Sequence, residues 1–507
     1  MRVMTMPTFR PYLAYLLMLP VVCLALGAVA NAADPAPAEA DAAVQRVIAE
    51  ALKPSPLESN LRHLTDDIGG RIPGTPAMDE AIEWAQEAFR TAGGEKVRAE
   101  KFTIPRSWAE GETHFVVESP LEFNLHAVSV AWAPALRSVR HVPIVDVNNG
   151  APEDFAHAGN IAGCIVLVHG KVIRTWEDLN EEYNRVPPII ERALRGRAVA
   201  IAWIAERDRD LLYRHTDTQT GELEPIPQVI VAREDGLRIA RLLASRRQVY
   251  ANLEISNQVG GPLTTANVVA EIPGSEHPEQ FVVLGAHLDS WELGTGALDN
   301  GCNAAMVIDA LRAIRAAGVQ PRRGIRFVLF SGEEEGLLGS EAYARQHRDE
   351  LDNALAAVIF DSGSGHVSGF TLSGRTELAG AARDLMAPLS FMGVTEVTQD
   401  ADMGTDNFDF LLEGVPTLVA NQDAANYMQN YHAMSDTYEK VDLGNLRKEV
   451  AEAAAIVVGI ANAPQRFGAR QNRAQVGQLL HETHLDDTMK LVGVWPAWES
   501  GQRGRAR

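Results

Sequence analysis

Imidazole and carboxylate side chains follow several short apolar runs in the second half of the sequence. They are His287, Asp289, Asp299, Glu333, Glu334 and Asp361, and a further pair, Tyr431 and His432, lies in a polar loop. The apolar runs lack polar alternation, which is typical of strands buried on both faces of a parallel sheet. Ligands of open α/β sheets bind at the carboxyl ends of the strands, so we expect these side chains to converge on one crevice.

Convergence of this set would require cations. Asp289, Asp299, Glu333, Glu334 and Asp361 would bring their carboxylates into one crevice, where they would repel one another and take up protons unless metal ions neutralised them. Mixed imidazole and carboxylate ligands suit zinc or a related transition metal better than calcium or magnesium. The number of ligands exceeds what one catalytic zinc ion with an open position uses, and it suits two metals that share a bridging carboxylate.

Each of these residues taken alone has a simpler interpretation. A single histidine is more often structural than a ligand, and the acidic run at residues 333–335 would usually be a solvated turn. Their joint placement at successive strand ends is what favours a metal site. Nothing places a base beside Ser290 or Ser331 in the manner of a serine hydrolase. His481 and His484 have the wrong spacing for a two-histidine zinc helix.

The elements that must position these residues show a strand and helix alternation. Strands are predicted at 281–286, 325–330, 355–360 and 415–420, and a last helix at 445–462. This alternation predicts an α/β fold with a mixed, largely parallel sheet and helices on both faces. An earlier helix is predicted to begin at Thr75 and Pro76 and to end at Gly93 and Gly94.

Residues 126–262 have a different pattern. Their short apolar runs, separated by polar and charged stretches, predict a small strand-rich inserted domain, and no catalytic set of residues occurs in it. Residues 43–125 and 263–464 would then form the two parts of the main domain. Residues 465–507 are polar and weakly periodic, which predicts a partly disordered C-terminal tail.

Residues 1–32 have the order of a cleavable secretory signal. Arg2 and Arg10 precede an apolar segment that ends in an Ala-x-Ala site at Ala32. An uncleaved membrane anchor would also fit, because the apolar run is close to membrane-spanning length. The helix-breaking Pro20 and the Ala-x-Ala site favour cleavage. We therefore predict an exported chain, periplasmic or secreted, with a disordered leader at residues 33–42 and no membrane association after cleavage.

Composition excludes several classes of partner. The chain has 507 residues, 46% of them hydrophobic, which is enough for two or three domains with a sizeable core. Its formal net charge of −21 argues against nucleic acid or an anionic membrane surface as a partner. Cys164 and Cys302 are predicted to be buried thiols. The sequence leaves open whether the protein is a monomer or a homodimer.

These motifs resemble those of the co-catalytic di-zinc exopeptidases, an exported family that includes leucyl-type aminopeptidases and glutamate carboxypeptidases. The matching segments, in the same order, are His-Leu-Asp-Ser at 287–290, Gly-Ala-Leu-Asp-Asn-Gly at 296–301, residues 333–340, Asp361 and Tyr431-His432. Within the family, His-Leu-Asp-Ser-Trp at 287–291 and Gly-Thr-Asp at 404–406 are most similar to the plasma glutamate carboxypeptidase (carboxypeptidase Q) branch. Residues 126–262 are similar to the protease-associated domain inserted in many members.

The resemblance implies two Zn²⁺ ions per chain and assigns their ligands. Asp299 would bridge the two metals. His287 and Asp361 would complete the first site, and Glu334 and His432 would complete the second.

The resemblance also implies catalytic roles beside the metals in the hydrolysis of a peptide substrate. Glu333 would be the general base that activates the attacking water and then protonates the leaving amine. Asp289 would orient the ring of His287, and Tyr431 would stabilise the oxyanion.

The sequence does not decide which end of the substrate is recognised. An amine site would need a spare acidic group near the metals, and a carboxylate site would need a basic residue or backbone N–H donors. No basic residue lies beside the core motifs, which favours an aminopeptidase or dipeptidase slightly over a glutamate-type carboxypeptidase. Two further functions are compatible with the same fold, a single-zinc acyltransferase like glutaminyl cyclase and an inactive receptor-like binding protein. The binding protein should have lost ligands, yet all of the positions are present.

Overall fold

The apolar runs that end at the candidate site residues form adjacent strands in the structure, a computed structural model that describes residues 37–506. The strands are β1 (Glu95–Ile104), β2 (Trp108–Ala109), β3 (Thr113–Ser119), β4 (Phe123–Asn124), β5 (Ala127–Ser129), β6 (Leu136–Asp146), β7 (Ile165–Val168), β8 (Ala200–Ile204), β9 (Gln228–Val231), β10 (Tyr250–Ile255), β11 (Gln258–Val259), β12 (Leu263–Ile272), β13 (His277–His287), β14 (Arg323–Phe330), β15 (Ala354–Ile359), β16 (Val367–Thr371), β17 (Glu396–Thr398) and β18 (Thr417–Gln422). The α-helices are α1 (Pro37–Ala51), α2 (Leu57–Arg62), α3 (Pro76–Thr91), α4 (Pro152–Ala158), α5 (Trp176–Arg195), α6 (Arg233–Ala244), α7 (Cys302–Ala316), α8 (Leu338–Gln346), α9 (Ala379–Met386), α10 (Asn407–Leu412), α11 (Tyr427–Asn430), α12 (Leu443–Asn462), α13 (Arg473–Glu482), α14 (Leu485–Leu491) and α15 (Trp495–Glu499).

The main sheet has eight strands in the order β1-β12-β14-β13-β15-β18-β16-β17. Strand β13 pairs in parallel with β14 on one side and β15 on the other, and β15 pairs in parallel with β18. Strands β1 and β12 join antiparallel at one edge, so the sheet is mixed. The predicted α/β fold class is confirmed.

Strand β13 is buried on both faces because alternate residues enter two different clusters. Val282 and Leu284 pack with residues of α1, α7 and α12, whereas Phe281 and Val283 pack with Tyr343 and other residues from the region of α8 and α10. The two-residue period of a strand therefore places half of its apolar side chains in each layer. This explains why the run shows no polar alternation.

The insert forms a second eight-stranded sheet in the order β4-β3-β10-β6-β7-β8-β9-β5. It begins with β3, earlier than the predicted boundary at residue 126, because β3 pairs antiparallel with β10. Strands β6 to β9 pair in parallel, with α4 and α5 among their connections. The insert is therefore an α/β layer rather than a purely strand-rich unit. Its assignment as a protease-associated domain stays a prediction.

Both predicted disordered segments differ from the structure where it describes them. Residues 37–42 of the predicted leader belong to α1, and the rest of that leader and the signal at residues 1–32 lie outside the described residues. The C-terminal tail folds into α13, α14 and α15, whose Val476, Leu480 and Met489 are buried in a common cluster. The prediction of a partly disordered tail is wrong because this segment packs on the main domain.

Two further observations bear on the sequence predictions. Cys164 and Cys302 are buried free thiols, as predicted. Among the described residues, none of the helices combines the length and the apolar character needed to cross a membrane.

Candidate metal centre

The first group of candidate ligands lies where β13 and β15 end. His287 is the last residue of β13, and Asp361 comes shortly after β15. The Nε2 atom of His287 lies 2.9 Å from Asp361 Oδ1 and 3.1 Å from Asp299 Oδ1. All three residues are buried, and one ligand atom from each lies within 4.8 Å of the others. These residues can hold one metal ion together.

The second group shares Asp299 with the first. His432 Nε2 lies 3.0 Å from Glu334 Oε2 and 3.4 Å from Asp299 Oδ2. These three residues are also buried and also lie within 4.8 Å of one another. Asp299 therefore turns Oδ1 to His287 and Oδ2 to His432, which is the arrangement of a carboxylate between two metal sites.

Residues far apart in the chain hold Asp299 in this orientation. The backbone N–H groups of Leu298 and Asp299 donate to the two carboxylate oxygens of Asp436, at 2.7 and 3.1 Å. The hydroxyl of Tyr427 donates to Asp299 Oδ2 at 2.9 Å. The peptide bond between Asp299 and Asn300 is cis. Asp436 therefore holds the backbone at Asp299, and Tyr427 holds its carboxylate.

The loop between β13 and α7 is held from inside by Arg71, which is fully buried. Its guanidinium donates to the backbone carbonyls of Leu288, Thr295 and Gly296 at 2.6 to 2.9 Å. Burial lowers the pKa of Arg71 to about 10, and Asp436 opposes this shift. Arg71 therefore contributes both positive charge and loop rigidity behind the ligands.

Glu333 lies beside the two ligand groups but belongs to neither. Its Oε2 atom is 4.0 Å from His287 Nε2, and its side chain is 12% exposed, more than Glu334 at 3%. Burial raises the pKa of Glu333 well above its ordinary value, and His287 offsets only part of that rise. A partly accessible carboxyl with a raised pKa has the properties of a general acid and base.

The closest contact of Asp289 with His287 is made by its backbone carbonyl, whereas the sequence predicted a contact through its carboxylate. His287 Nδ1 lies 3.0 Å from the backbone carbonyl oxygen of Asp289 and 3.6 Å from its Oδ1 atom. The Oδ2 atom of Asp289 accepts a hydrogen bond from the backbone N–H of Glu334, at 3.2 Å. Asp289 thus orients the histidine through its main chain and connects the ends of β13 and β14 through its side chain.

Three residues of the insert hold the loop that carries His432. The Arg214 backbone N–H donates to the His432 carbonyl at 2.8 Å, and Arg207 Nη2 donates to the Tyr431 carbonyl at 3.1 Å. The Tyr183 and Tyr431 hydroxyls are 2.7 Å apart, and the Tyr431 ring stacks on His432 with centroids 3.7 Å apart. The Tyr431 hydroxyl is thus within hydrogen-bonding distance of Tyr183, and its predicted contact with an oxyanion stays a prediction.

The carboxylates of the two ligand groups favour the protonated, positively charged forms of His287 and His432. Burial alone would lower the pKa of His432, but Glu334 and Asp299 outweigh it and raise the pKa to about 9. Burial likewise opposes the charged form of His287, yet Asp361 and its neighbours raise the pKa of His287 well above its ordinary value. Burial raises the pKa of Glu334 to about 7, with His432 opposing the rise.

The donor atoms fit two transition-metal ions. Each group offers one imidazole nitrogen and two carboxylates, one of them shared, which is a ligand set that zinc accepts. Glu334 Oε1 is buried and accepts no hydrogen bond from the described residues. A buried carboxylate oxygen without a donor is costly unless a cation neutralises it.

The sequence at this site matches a known family model. Residues 267–457 match the model of Peptidase family M28. The matched region is similar to this peptidase family. All of the predicted site residues, from His287 to His432, lie inside it. The predicted resemblance and the metallopeptidase class of the enzyme are confirmed.

Individual proteins extend the similarity over most of the chain. Carboxypeptidase Q from Bos taurus is 27% identical over 408 residues, covering 78% of this chain and 82% of that protein. The crystal structure of a peptidase M28 precursor from Shewanella amazonensis SB2B superposes with a TM-score of 0.78 at 25% identity, covering 86% of this chain and 99% of that chain. A zinc aminopeptidase from Bacillus subtilis superposes with a TM-score of 0.61 at 20% identity, covering 80% of this chain and 92% of that chain.

Sequence reasoning missed Arg71, Arg207, Tyr427 and the role of Asp436. Arg71 lies more than 200 positions before the carbonyls of Leu288, Thr295 and Gly296 that it binds, and Arg207 lies 224 positions before Tyr431. No local spacing could have placed them at the site. Asp436 lies only a few residues after His432. Among these residues, it was the only one whose closeness in sequence to a predicted ligand could have indicated a role at the site.

Proposed function

We propose that this protein is an exported di-zinc exopeptidase that removes a terminal residue from short peptides. The observation that carries the proposal is Asp299, whose two oxygens face two separate histidine and carboxylate groups. A single-metal site would not need a carboxylate held in this bridging orientation. The zinc aminopeptidase of Bacillus subtilis, which shares the fold, supports zinc as the metal.

The residues that would hold zinc divide into two sets around Asp299. His287 and Asp361 would complete one site, and Glu334 and His432 the other. Zinc bound there would supply a water made acidic near neutral pH and would withdraw charge from the substrate carbonyl.

Glu333 would move the protons of the reaction. Its carboxylate takes one proton from the attacking water while a new C–O bond forms at the scissile carbonyl. It then delivers that proton to the amine nitrogen as the C–N bond breaks. The other proton of the water stays on the new carboxyl group, so the products are a carboxylic acid, which releases that proton to solvent, and an amine. The position of Glu333 supports this role, because its Oε2 atom lies 4.0 Å from His287 Nε2 while the residue belongs to neither ligand group.

Two rival functions are less well supported. A receptor-like binding protein would have no need to retain both complete ligand groups, and a single-zinc acyltransferase would not need the second group. Relatives include both a carboxypeptidase and an aminopeptidase, so the recognised end of the substrate must come from other residues. Export rests on the signal-like sequence of residues 1–32.

The test of this proposal is Glu333→Gln in protein purified with zinc. We expect two zinc ions per chain in both wild type and variant, because Glu333 is outside the ligand groups. We expect turnover of unblocked dipeptides and tripeptides to fall by about 1,000-fold, the scale of a lost general base. Zinc is measured by elemental analysis and turnover by chromatography of the products.

Glu350→Gln is the matched control, because Glu350 pairs with Arg326 and lies outside the ligand groups. It should keep both zinc and activity. A Glu333→Gln enzyme that keeps its activity would contradict the base assignment. A wild-type content near one zinc per chain would contradict the di-zinc centre and favour the acyltransferase.

A further inference from the structure

The turn between β14 and α8, which carries Glu333 and Glu334, contains a leucine in a left-handed conformation. Leu337 has a φ of 63°, in the region that favours glycine. A leucine there is strained, because its Cβ atom comes too close to the backbone. The carbonyl of Glu333 accepts hydrogen bonds from the N–H groups of Gly336 and Leu337, both at 2.9 Å. The conformation of Leu337 is therefore coupled to the position of the Glu333 backbone.

The side chain of Leu337 packs in a cluster that is built largely by the C-terminal segment (residues 473–505). Leu337 is 2% exposed and shares this buried cluster with Val476, Met489 and Trp498, which come from α13, α14 and α15, and with apolar residues of α10. Strained backbone conformations persist only where the surrounding structure holds them. Burial of the leucine side chain against the C-terminal segment thus stabilises the left-handed turn.

Polar contacts join the same turn to the end of the C-terminal segment. Arg503 Nη2 lies 3.5 Å from the carbonyl oxygen of Gly336, and the guanidinium also donates to both carboxylate oxygens of Asp409. The Ser340 hydroxyl lies 3.1 Å from the carbonyl oxygen of Leu337 and 3.3 Å from Asp409 Oδ2. The C-terminal segment therefore contacts the turn through both apolar and polar groups.

We propose that the C-terminal segment positions Glu333 and Glu334, and that Leu337 is the positioning residue through which it acts. The segment lies outside residues 267–457, the part of the chain that matches the family model. This inference rests on the proposed function, which makes Glu333 the proton carrier and Glu334 a zinc ligand. A small displacement of either carboxylate would slow the chemical step while the rest of the substrate still binds.

The experiment compares three substitutions at Leu337 in the zinc-loaded full chain, with unblocked dipeptides as substrates. Leu337→Ala removes most of the packing, so residue 337 is free to leave the left-handed region. We expect kcat to fall by about 100-fold while KM stays within about threefold, which is the scale of a misplaced catalytic group. Leu337→Met keeps most of the packing and should stay within about threefold of wild type in kcat.

Leu337→Gly separates positioning of the turn from packing of the cluster. Glycine fills the cluster even less than alanine does, but it adopts a left-handed φ without strain. Because the turn acts through its backbone conformation, Leu337→Gly should keep a kcat about tenfold above that of Leu337→Ala. A purely structural role of Leu337 predicts the reverse order, since glycine leaves the larger cavity.

Zinc binding gives a readout that does not depend on turnover. Since Glu334 would be a ligand of the second site, Leu337→Ala should bind one of its two zinc ions about tenfold more weakly than wild type, the scale expected when a group that orients a metal ligand is lost. Leu337→Gly should recover part of this affinity. Competition with a chelator measures the affinities.

Met489→Ala tests the C-terminal segment without changing the turn. It should lower kcat by about threefold to tenfold in the wild-type chain, and by less than about twofold in Leu337→Gly, because a glycine turn no longer depends on the packing. Leu389→Ala is the matched control. Leu389 is buried in a separate cluster, so the same atoms are deleted as in Leu337→Ala, and both kcat and KM should match wild type.

The outcomes separate this inference from the proposed function. Wild type without two zinc ions, or without cleavage of dipeptides, would overturn the proposed function. If wild type has both, a Leu337→Ala enzyme as fast as wild type, or a Leu337→Gly enzyme slower than Leu337→Ala, would overturn only the role of Leu337. If Leu337→Ala does not fold, Met489→Ala decides: a kcat equal to that of wild type would overturn the role of the C-terminal segment.

Discussion

At the scale of single residues, Asp299 is the group on which both candidate ligand sets depend. Its carboxylate is held by Tyr427 and its backbone by Asp436, so its two oxygens cannot reorient freely. Burial raises the pKa of Asp299, but hydrogen bonds from His287 and His432 outweigh burial and lower it below its usual range. These contacts favour the ionised form of the shared carboxylate, which is the form that binds cations.

Asp299→Asn should lower the zinc content to at most one ion per chain. The amide has nearly the same shape but only one oxygen and no charge, so it cannot serve two cations. We expect peptidase activity to fall at least about 1,000-fold, because one metal site would be lost. Elemental analysis and turnover are measured on the same sample.

Asp309→Asn is the control for Asp299→Asn. Asp309 is a buried aspartate on α7 that binds Arg312 and Ser55, and it has no contact with the ligand groups. It should keep two zinc ions. An Asp299→Asn protein with full zinc and full activity would exclude Asp299 as the bridge.

At the scale of secondary structure, parallel register aligns the strand ends. His287 of β13 pairs with Phe330 of β14, and Gly285 pairs with Ile359 of β15. Residues that follow these partners therefore emerge at one edge of the sheet. This edge could be predicted from the sequence, because a buried parallel strand is a continuous apolar run and the first polar residue after the run marks its end.

The residues that follow α15 pack against α8 and α10. Arg503, 3% exposed, donates from Nε and Nη2 to the two carboxylate oxygens of Asp409, both at 2.8 Å. Asp409 also accepts a hydrogen bond from the hydroxyl of Ser340, at 3.3 Å. A buried, bidentate pair thus connects the end of the chain to α8 and α10.

Arg503→Met should destabilise the protein by about 3 to 5 kcal/mol, because it leaves Asp409 charged, buried and unpaired. The free energy of unfolding from urea titration, read by circular dichroism, measures this loss. The double variant Arg503→Met with Asp409→Leu should recover most of it, since no charge is then left unpaired. Equal urea midpoints for wild type and Arg503→Met would contradict this account.

Two elements were not predictable because their stability comes from distant partners. Strand β3 alternates buried and exposed residues and contains Glu118, so it resembles an isolated surface segment until β10 pairs with it. Helices α13 to α15 are short and weakly periodic, and Arg503 and Val476 become buried only against the main domain. The contacts of Arg71 and Arg207 with the site could not be predicted either, because these residues are far from the site in the sequence and no spacing rule connects them to it.

At the scale of the whole molecule, buried acids make folding stability depend on pH. Glu449 and Glu452 on α12 are each 1% exposed, and their carboxyl oxygens accept no hydrogen bond from the described residues. Burial raises the pKa of Glu452 from 4.5 to about 8, against a small opposing effect of Lys448. The folded state therefore holds this proton more tightly than the unfolded state does.

The sign of the pH effect follows from this raised pKa. The contribution of Glu452 is fully present below about pH 4.5 and is lost as the pH rises toward 8, at about 1.4 kcal/mol per unit. Glu452→Gln stays neutral, so its stability should fall less between pH 5 and pH 9. We expect it to match wild type at the lower pH and to exceed it at the higher pH in urea titrations.

Glu83→Gln, at an exposed position of α3, is the control for Glu452→Gln and should follow the wild-type pH profile. Parallel profiles for wild type and Glu452→Gln would show that Glu452 is ionised in the folded protein and would contradict the prediction.

The contacts from Arg207 and Arg214 to the carbonyls of Tyr431 and His432 limit how the chain can be recombined. A chimera that takes its peptidase half from this protein and its insert from another would leave both carbonyls without donors unless the new insert supplied equivalent groups. A graft must therefore carry residues 207–214 as a unit. The geometry of the loop that carries His432 would then depend on the transplanted insert, although the candidate metal ligands come from the host.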